Sequence, residues 1–262
     1  MNERSVSVLA IAAHRDDVEQ TCGGTLLKMA ERGHRTAVLD LSRGEMGTRG
    51  TAVQRAQEAA ESAQILQVSW RGALDLPDGR IENSLENRVK IAAVVRLLRP
   101  RVVILPYGKG RHPDHYTASK LGYEACFLAG LKKLDFGALE LNLESARSTP
   151  VKFSPVEAAA AQPHRPFKII YASLYYDVRP TFVVEITDQF ERRFQSLMAY
   201  ASQYEDQAEG SGLFPAQAEI RSRIETMARF YGLLAGVTYA EPFIQEEVGL
   251  VEDITALPVQ SI

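Results

Sequence analysis

Short apolar runs alternate with longer helical segments through the first half of the chain, and that alternation limits the fold more than any other feature. The runs fall at residues 6–13, 36–41, 71–74 and 102–105, and helical patterns at 23–32, 52–66 and 85–98 separate them. The 52–66 segment is dense in Ala, Gln and Glu, all strong helix formers. The 85–98 segment ends at Arg99-Pro100, where proline forbids continuation. Val102-Val103-Ile104-Leu105 is unbroken by any polar residue, the pattern of a strand covered on both faces. Strand and helix in strict alternation imply βαβ units, right-handed crossovers and a mostly parallel sheet.

The reading is therefore an α/β fold, a Rossmann-like three-layer α/β/α sandwich. Over residues 142–166 the periodicity fades into Ser, Pro and Ala, a loop excursion. Strands at 168–174 and 181–186 and helices at 189–202 and 218–234 follow. We read residues 1–262 as one domain, with a Rossmann-like half over 1–135 and a second half over 136–262 that completes it.

Thirty basic against 33 acidic residues leave a net charge of −3, without a clustered Lys/Arg surface, which argues against nucleic acid as a partner. The two cysteines, Cys22 and Cys126, are too few for a disulfide framework and read as reduced thiols. The first residues lack the apolar core of a signal peptide, and no run approaches the ~20 apolar residues needed to span a bilayer. A soluble, cytoplasmic protein with no membrane partner is expected.

In parallel sheets of this kind ligands sit beyond the carboxyl ends of the strands, so the loops beginning at His14, Ser42 and Pro106 should converge. Ala13-His14-Arg15-Asp16-Asp17-Val18-Glu19 follows the first strand, and Gly110-Arg111-His112-Pro113-Asp114-His115 follows the fourth. Three of the five histidines lie in these two places. Two imidazoles and a carboxylate suit Zn2+ or Fe2+ and leave positions open for water and substrate. The spacing of three within His14/Asp17 and within His112/His115 sets each pair on one side of a helical turn, so four ligands are conceivable. A hydrolase also needs an acid and a base outside the ligand set. Asp114 is equally suited to a structural role at a helix start. His34 reads as solvated, and so does His164, although the excursion that carries it could close over a substrate; Cys22 reads as a small buried residue at a helix start.

These residues resemble the paired motifs of the PIG-L/LmbE-like zinc-dependent N-acetylglucosaminyl deacetylases. The resemblance takes in Cys22-Gly23-Gly24-Thr25, Arg43-Gly44-Glu45-Met46-Gly47-Thr48-Arg49-Gly50 and Tyr239-Ala240-Glu241-Pro242-Phe243, and is greatest to the branch that deacetylates N-acetylglucosaminyl malate in bacillithiol biosynthesis. It implies that His14, Asp17 and His115 bind Zn2+, that Asp16 is the general base, and that His112 stabilises the tetrahedral intermediate. It also implies a homo-oligomer, with a hexamer among the assemblies it suggests. Where the family usually has proline, this chain has Arg15, which adds a cation beside two carboxylates and should favour their ionised forms. Arg43, Arg49 and Arg111 are candidates for holding sugar hydroxyls or an acidic aglycone such as malate.

Two other classes compete with this reading. A dinucleotide-binding module lacks its GxGxxG here, and Asp16 and Asp17 would repel a pyrophosphate. A metal-binding scaffold with a decayed active site is separated from an enzyme by measuring acetate release.

Overall fold

The alternation read from the sequence is present in the computed structural model, which describes residues 4–137, 139, 141, 143–145, 155–173, 178–205 and 215–257. In chain order the elements are β1 (Val8–Ala12), α1 (Asp17–Thr21), α2 (Gly23–Glu31), β2 (Thr36–Asp40), α3 (Ala52–Ile65), β3 (Trp70–Ala73), α4 (Leu85–Leu98), β4 (Val102–Pro106), α5 (Pro113–Ala129) and β5 (Glu144–Ser145). They continue with α6 (Pro155–Ala160), β6 (Lys168–Ala172), β7 (Phe182–Glu185), α7 (Phe190–Met198), α8 (Ala201–Tyr204), α9 (Gln217–Leu233) and β8 (Ala240–Ile244).

The strands form one sheet in the order β5-β3-β2-β1-β4-β6-β8-β7. From β3 to β6 every pairing is parallel, while β5, β8 and their neighbours pair antiparallel at the two margins. The order reverses between β1 and β4, because β2 and β3 grow to one side of β1 and β4 and β6 to the other. That switch point opens a crevice at the carboxyl ends of β1 and β4.

Alternate residues of β1 define the two layers. Leu9 and Ile11 join a core with Ile91, Val94, Leu98 and Leu121 from α4 and α5. Val8, Ala10 and Ala12 join a second core with Leu26 and Leu27 of α2 and Ala63 of α3. Because both faces of β1 are buried, a polar residue is excluded until the strand ends, and the first polar group afterwards is His14.

Several boundaries differ from expectation for physical reasons. The helix expected over 189–202 breaks between Met198 and Ala201, where Tyr200 is fully buried. The strand β8 has no counterpart among the expected elements, since Pro242 in its middle argues against a strand; the pairing with β6 involves only Phe243 and Ile244, which follow the proline. Much of the 142–166 excursion, and the end of the strand expected over 168–174, lie outside the described residues. Among the described residues no helix is long and apolar enough to cross a membrane.

Candidate metal centre

The turn after β1 and the start of α5 meet at the switch point. The His14 backbone N–H donates to Asp17 Oδ2 at 2.9 Å, which folds the turn so that both side chains face one way. On the other side His112 caps α5: its Nδ1 accepts the Asp114 N–H at 3.2 Å, and Pro113 occupies the first helical position. His115, one turn further on, then points back at His14.

His14 Nδ1 lies 3.2 Å from His115 Nε2. Asp17 Oδ2 lies 3.5 Å from His14 Nδ1, and Asp17 Oδ1 lies 3.2 Å from His115 Nε2. Ligands bound to one tetrahedral Zn2+ at ~2.0–2.1 Å stand about 3.3–3.4 Å apart, so the separation of the two imidazole nitrogens, and that of each from one oxygen of the Asp17 carboxylate, is of the size a shared divalent ion requires. The ring nitrogens of His14, His112 and His115 also come within 4.8 Å of one another, which keeps His112 at the rim of the same centre.

Carboxylates behind His14 select its tautomer. Its Nε2 donates to Asp78 Oδ1 at 3.1 Å and Asp114 Oδ2 at 3.3 Å, which leaves the Nδ1 lone pair facing Asp17 and His115. An imidazole oriented by a carboxylate on its far nitrogen is the usual support of a metal ligand. Burial disfavours the imidazolium of His14, but hydrogen bonds with Asp114, Asp17 and Asp78 outweigh it and push the pKa up to about 12. This field attracts a cation, and a proton occupies the place in the metal-free chain. His115 is also raised, Asp17 overcoming the effect of its burial. His112 is shifted the other way, by burial and then by the charges of His14 and His115. At neutral pH His112 is therefore a neutral ring; with Nδ1 accepting from Asp114, its proton sits on Nε2.

Asp16 is half-buried beside the ligands. Its Oδ1 accepts from Arg55 Nη2 at 3.2 Å, and its Oδ2 from Gln20 Nε2 at 3.3 Å and from the Tyr204 hydroxyl. Among the described residues the guanidinium bonded to Asp16 belongs to Arg55, whereas that of Arg15 is buried and donates to the Ala52 carbonyl at 2.8 Å, in the first turn of α3.

The loop after β2 brings Arg43 and Arg49 to the same end of the sheet. Arg49 is buried and donates to the Gln203 carbonyl at 3.4 Å; Arg43 is half-buried, and Arg111 is exposed on the loop before α5. His34 is exposed, as expected, and Cys22 is buried. His164 is not at the site: it bonds the Pro100 carbonyl at 2.7 Å, before β4 begins and so at the opposite end of the sheet.

Three participants escape the sequence reading. Asp78 lies in Pro77-Asp78-Gly79 just beyond β3, and the rule that selects the other three loops selects this one too when it is applied there. Arg55 is one helix turn into α3, where an arginine looks like a surface residue. Tyr204 lies 188 positions from Asp16 and carries no local signal.

Fold and donor set together define an α/β protein with a candidate His/Asp metal centre at the carboxyl end of its parallel strands. The family model described as GlcNAc-PI de-N-acetylase, PIG-L, matches residues 9–126. A diacetylchitobiose deacetylase of Thermococcus kodakarensis is 31% identical over 246 residues, covering 89% of this chain and 80% of the relative. Among solved structures, the conserved protein TT1542 of Thermus thermophilus is 34% identical with a TM-score of 0.76, over 94% of this chain and 98% of that one. The N,N'-diacetylchitobiose deacetylase of Pyrococcus horikoshii is 25% identical with a TM-score of 0.72, over 91% of this chain and 83% of that one. The chain belongs to the PIG-L family of deacetylases.

Proposed function

We propose that the chain hydrolyses the N-acetyl amide of an N-acetylglucosamine conjugate, with His14, Asp17 and His115 holding a divalent metal, Zn2+ before Fe2+. The observation that carries this reading is the convergence of two imidazole nitrogens and the two oxygens of the Asp17 carboxylate, at separations of 3.2–3.5 Å, beside a separately held carboxylate, Asp16. Such a metal, when bound, acidifies a water and polarises the acetyl carbonyl. Asp16 accepts a proton as the water attacks, its carboxylate held in aim by Arg55, Gln20 and Tyr204. The neutral His112 donates from Nε2 to the oxygen that gains charge, so it needs no second proton for this role. Collapse forms acetate, breaks the C–N bond and passes the proton held by Asp16 to the departing amine.

The finer substrate is either N-acetylglucosaminyl malate, as the sequence resemblance suggests, or an N-acetylated oligosaccharide, as the names of two relatives suggest. Arg43, Arg49 and Arg111 are the cations at hand for malate. A panel with both substrates, run with elemental analysis, tests the reading through two variants. His112→Ala keeps its metal and loses about 10²–10³ in turnover, the usual effect of removing one oxyanion donor. His115→Ala loses the metal itself. Equal metal loss in the two variants overturns the assignment, and absence of acetate release from every substrate at full metal loading overturns the function.

A further inference from the structure

Beyond β8 the chain runs on as an arm, residues 246–257, and every one of its twelve residues is exposed. Val248 and Leu250 are 95% and 92% exposed, and Val251, Ile254 and Leu257 lie open with them. Single exposed apolar residues are normal on any surface, but here five fall within ten positions of one segment. A segment that merely trails in solvent is poor in such residues, since it has nothing to bury them against. The arm also has local order: Asp253 accepts the Thr255 N–H at 2.9 Å and the Thr255 hydroxyl at 2.7 Å, where a short 3-10 turn (Ile254–Ala256) begins.

Charge on the arm has one sign. It carries Glu246, Glu247, Glu252 and Asp253 and no Lys or Arg, and none of the four carboxylates forms an ion pair among the described residues. The arm leaves the sheet beside an open groove of about 550 Å3 on the outer face of α5, with Glu246 at its margin. On that helix Tyr116, Lys120, Tyr123 and Phe127 are spaced by four, three and four positions, which makes them one exposed stripe. The surroundings of the stripe are basic. Glu124 is held by Arg88 at 2.8 Å, nearer than Lys120 at 4.0 Å, and Lys132 and Lys133, just past the helix, form no ion pair among the described residues. The outer face of α9 also exposes apolar residues, Phe230, Leu233 and Leu234, but its arginines are already matched: Arg221 with Glu191, Arg223 with Glu219 and Arg229 with Glu225. An acidic arm therefore fits α5 and not α9.

The dimensions agree. Twelve extended residues span at most about 40 Å, and α5, with 17 residues, is about 25 Å long. Exposed throughout, the arm does not fold back on its own α5. A two-fold axis beside the groove sets two α5 faces opposite each other, and each arm, starting at the margin of its own groove, then reaches the stripe of the other copy. Self-complementary pairing of this kind is the commonest symmetry of homo-oligomers.

We propose that residues 246–257 form a dimerisation arm, which lays Val248, Leu250 and Ile254 on the Tyr116–Phe127 stripe of a second copy of this chain while its carboxylates meet the lysines around that stripe. Arm and stripe together supply about 20 residues a side, enough for a specific interface. The inference does not depend on the deacetylase reading.

Velocity sedimentation of the full chain at micromolar concentrations should show a dimer or a multiple of one. The arm variant Val248→Asp/Leu250→Asp/Ile254→Asp and the face variant Lys120→Glu/Lys132→Glu/Lys133→Glu should each raise the dimer Kd about 100-fold, the weight of one or two interface hot spots. Both change only exposed side chains, so the monomer should keep its circular dichroism spectrum. The reversed arm, Glu246→Lys/Glu247→Lys/Glu252→Lys, should weaken association alone and regain most of it when combined with the face variant, a rescue that misfolding cannot produce. In an equimolar mixture of ordinary and isotope-labelled chains, carbodiimide coupling of arm carboxylates to Lys120, Lys132 or Lys133 should yield pairs of mixed isotope. A parent that stays monomeric, an arm variant that associates like the parent, or couplings confined within one chain would each overturn the proposal.

Discussion

Replacing Asp114 by asparagine probes how the fold aims the metal centre. The carboxylate accepts the Gly79 N–H at 2.7 Å on Oδ2 and the Ile81 N–H at 3.1 Å on Oδ1, and it faces His14 Nε2 at 3.3 Å. Three donors thus share two oxygens. Asparagine has the same shape but one oxygen, so at least one buried donor meets an NH2 group instead. An orphaned buried donor costs about 1–3 kcal/mol, and for a chain of this size each kcal/mol lowers Tm by about 2–4 °C. The same change removes half of the carboxylate support of His14, for which the usual effect is a 10- to 100-fold loss of metal affinity. Burial works against the charge of Asp114, but His14 and the two backbone N–H groups hold its pKa below the ordinary value. A carboxylate whose pKa is lower in the folded than in the unfolded chain stabilises above its unfolded pKa, near 4, and that contribution fades as pH falls through the folded value. The Tm difference between parent and variant should therefore be full at neutral pH and close on acidification below about pH 4. Thermal unfolding of the metal-free proteins and competition titration with a zinc chelator measure the two effects. A lowered Tm with unchanged Zn2+ affinity refutes the link to His14; an unchanged Tm refutes the clamp on the 79–81 turn.

Metal affinity itself should climb with pH, because the ion must displace the proton that Asp114, Asp17 and Asp78 hold on His14; about tenfold per pH unit near neutrality is expected from chelator titrations at several pH values. Arg55→Met should retain the metal yet lose on the order of 100-fold in acetate release, since a base misplaced by ~1 Å loses that much; turnover near the parental level would show that Tyr204 and Gln20 suffice to hold Asp16. Gly44 has φ +71° and an added Cβ would overlap the Arg55 guanidinium, so Gly44→Ala should cost about 1–3 kcal/mol and reduce activity together with stability, as thermal unfolding and acetate release will report.

The parallel core is legible in the sequence because its strands are buried on both faces: Val102-Val103-Ile104-Leu105 has no other reading as compact as β4. The ligand turn is legible because polar residues cannot enter β1 and so crowd its end. What escapes depends on distant partners. A short helix, α1, begins at Asp17 inside what reads as a loop, and β8 hides behind Pro242. Asp78 looks like an ordinary turn residue until His14 Nε2 is found 3.1 Å from it. Arg55 escapes for the same reason, since a sequence shows that Arg15 is adjacent to Asp16 along the chain and not that the Arg55 guanidinium is adjacent to it in space.

The position of Arg15 also bears on whether the centre is a working one. A proline after His14 would fix φ at that point; Arg15 gives up the constraint, but its carbonyl accepts from both Arg71 Nη2 and the Tyr200 hydroxyl. Arg71 is itself fully buried, forked onto Asp40 at 2.9 and 3.0 Å and paired with Glu19. Removing one partner of such a buried pair leaves a charge uncompensated, at about 3–5 kcal/mol, so the arrangement resists local opening. Further along the same turn, Arg193 donates to the Glu19 carbonyl at 3.0 Å, and Glu241 accepts the Gly24 and Thr25 N–H groups at 2.9 and 2.7 Å. The segment from Arg15 to Thr25 is thus held by Tyr200, Arg193 and Glu241 from the second half of the chain. Backbone rigidity that a proline supplies locally is supplied here by donors converging on one carbonyl, and Arg15 therefore does not by itself mark a decayed site.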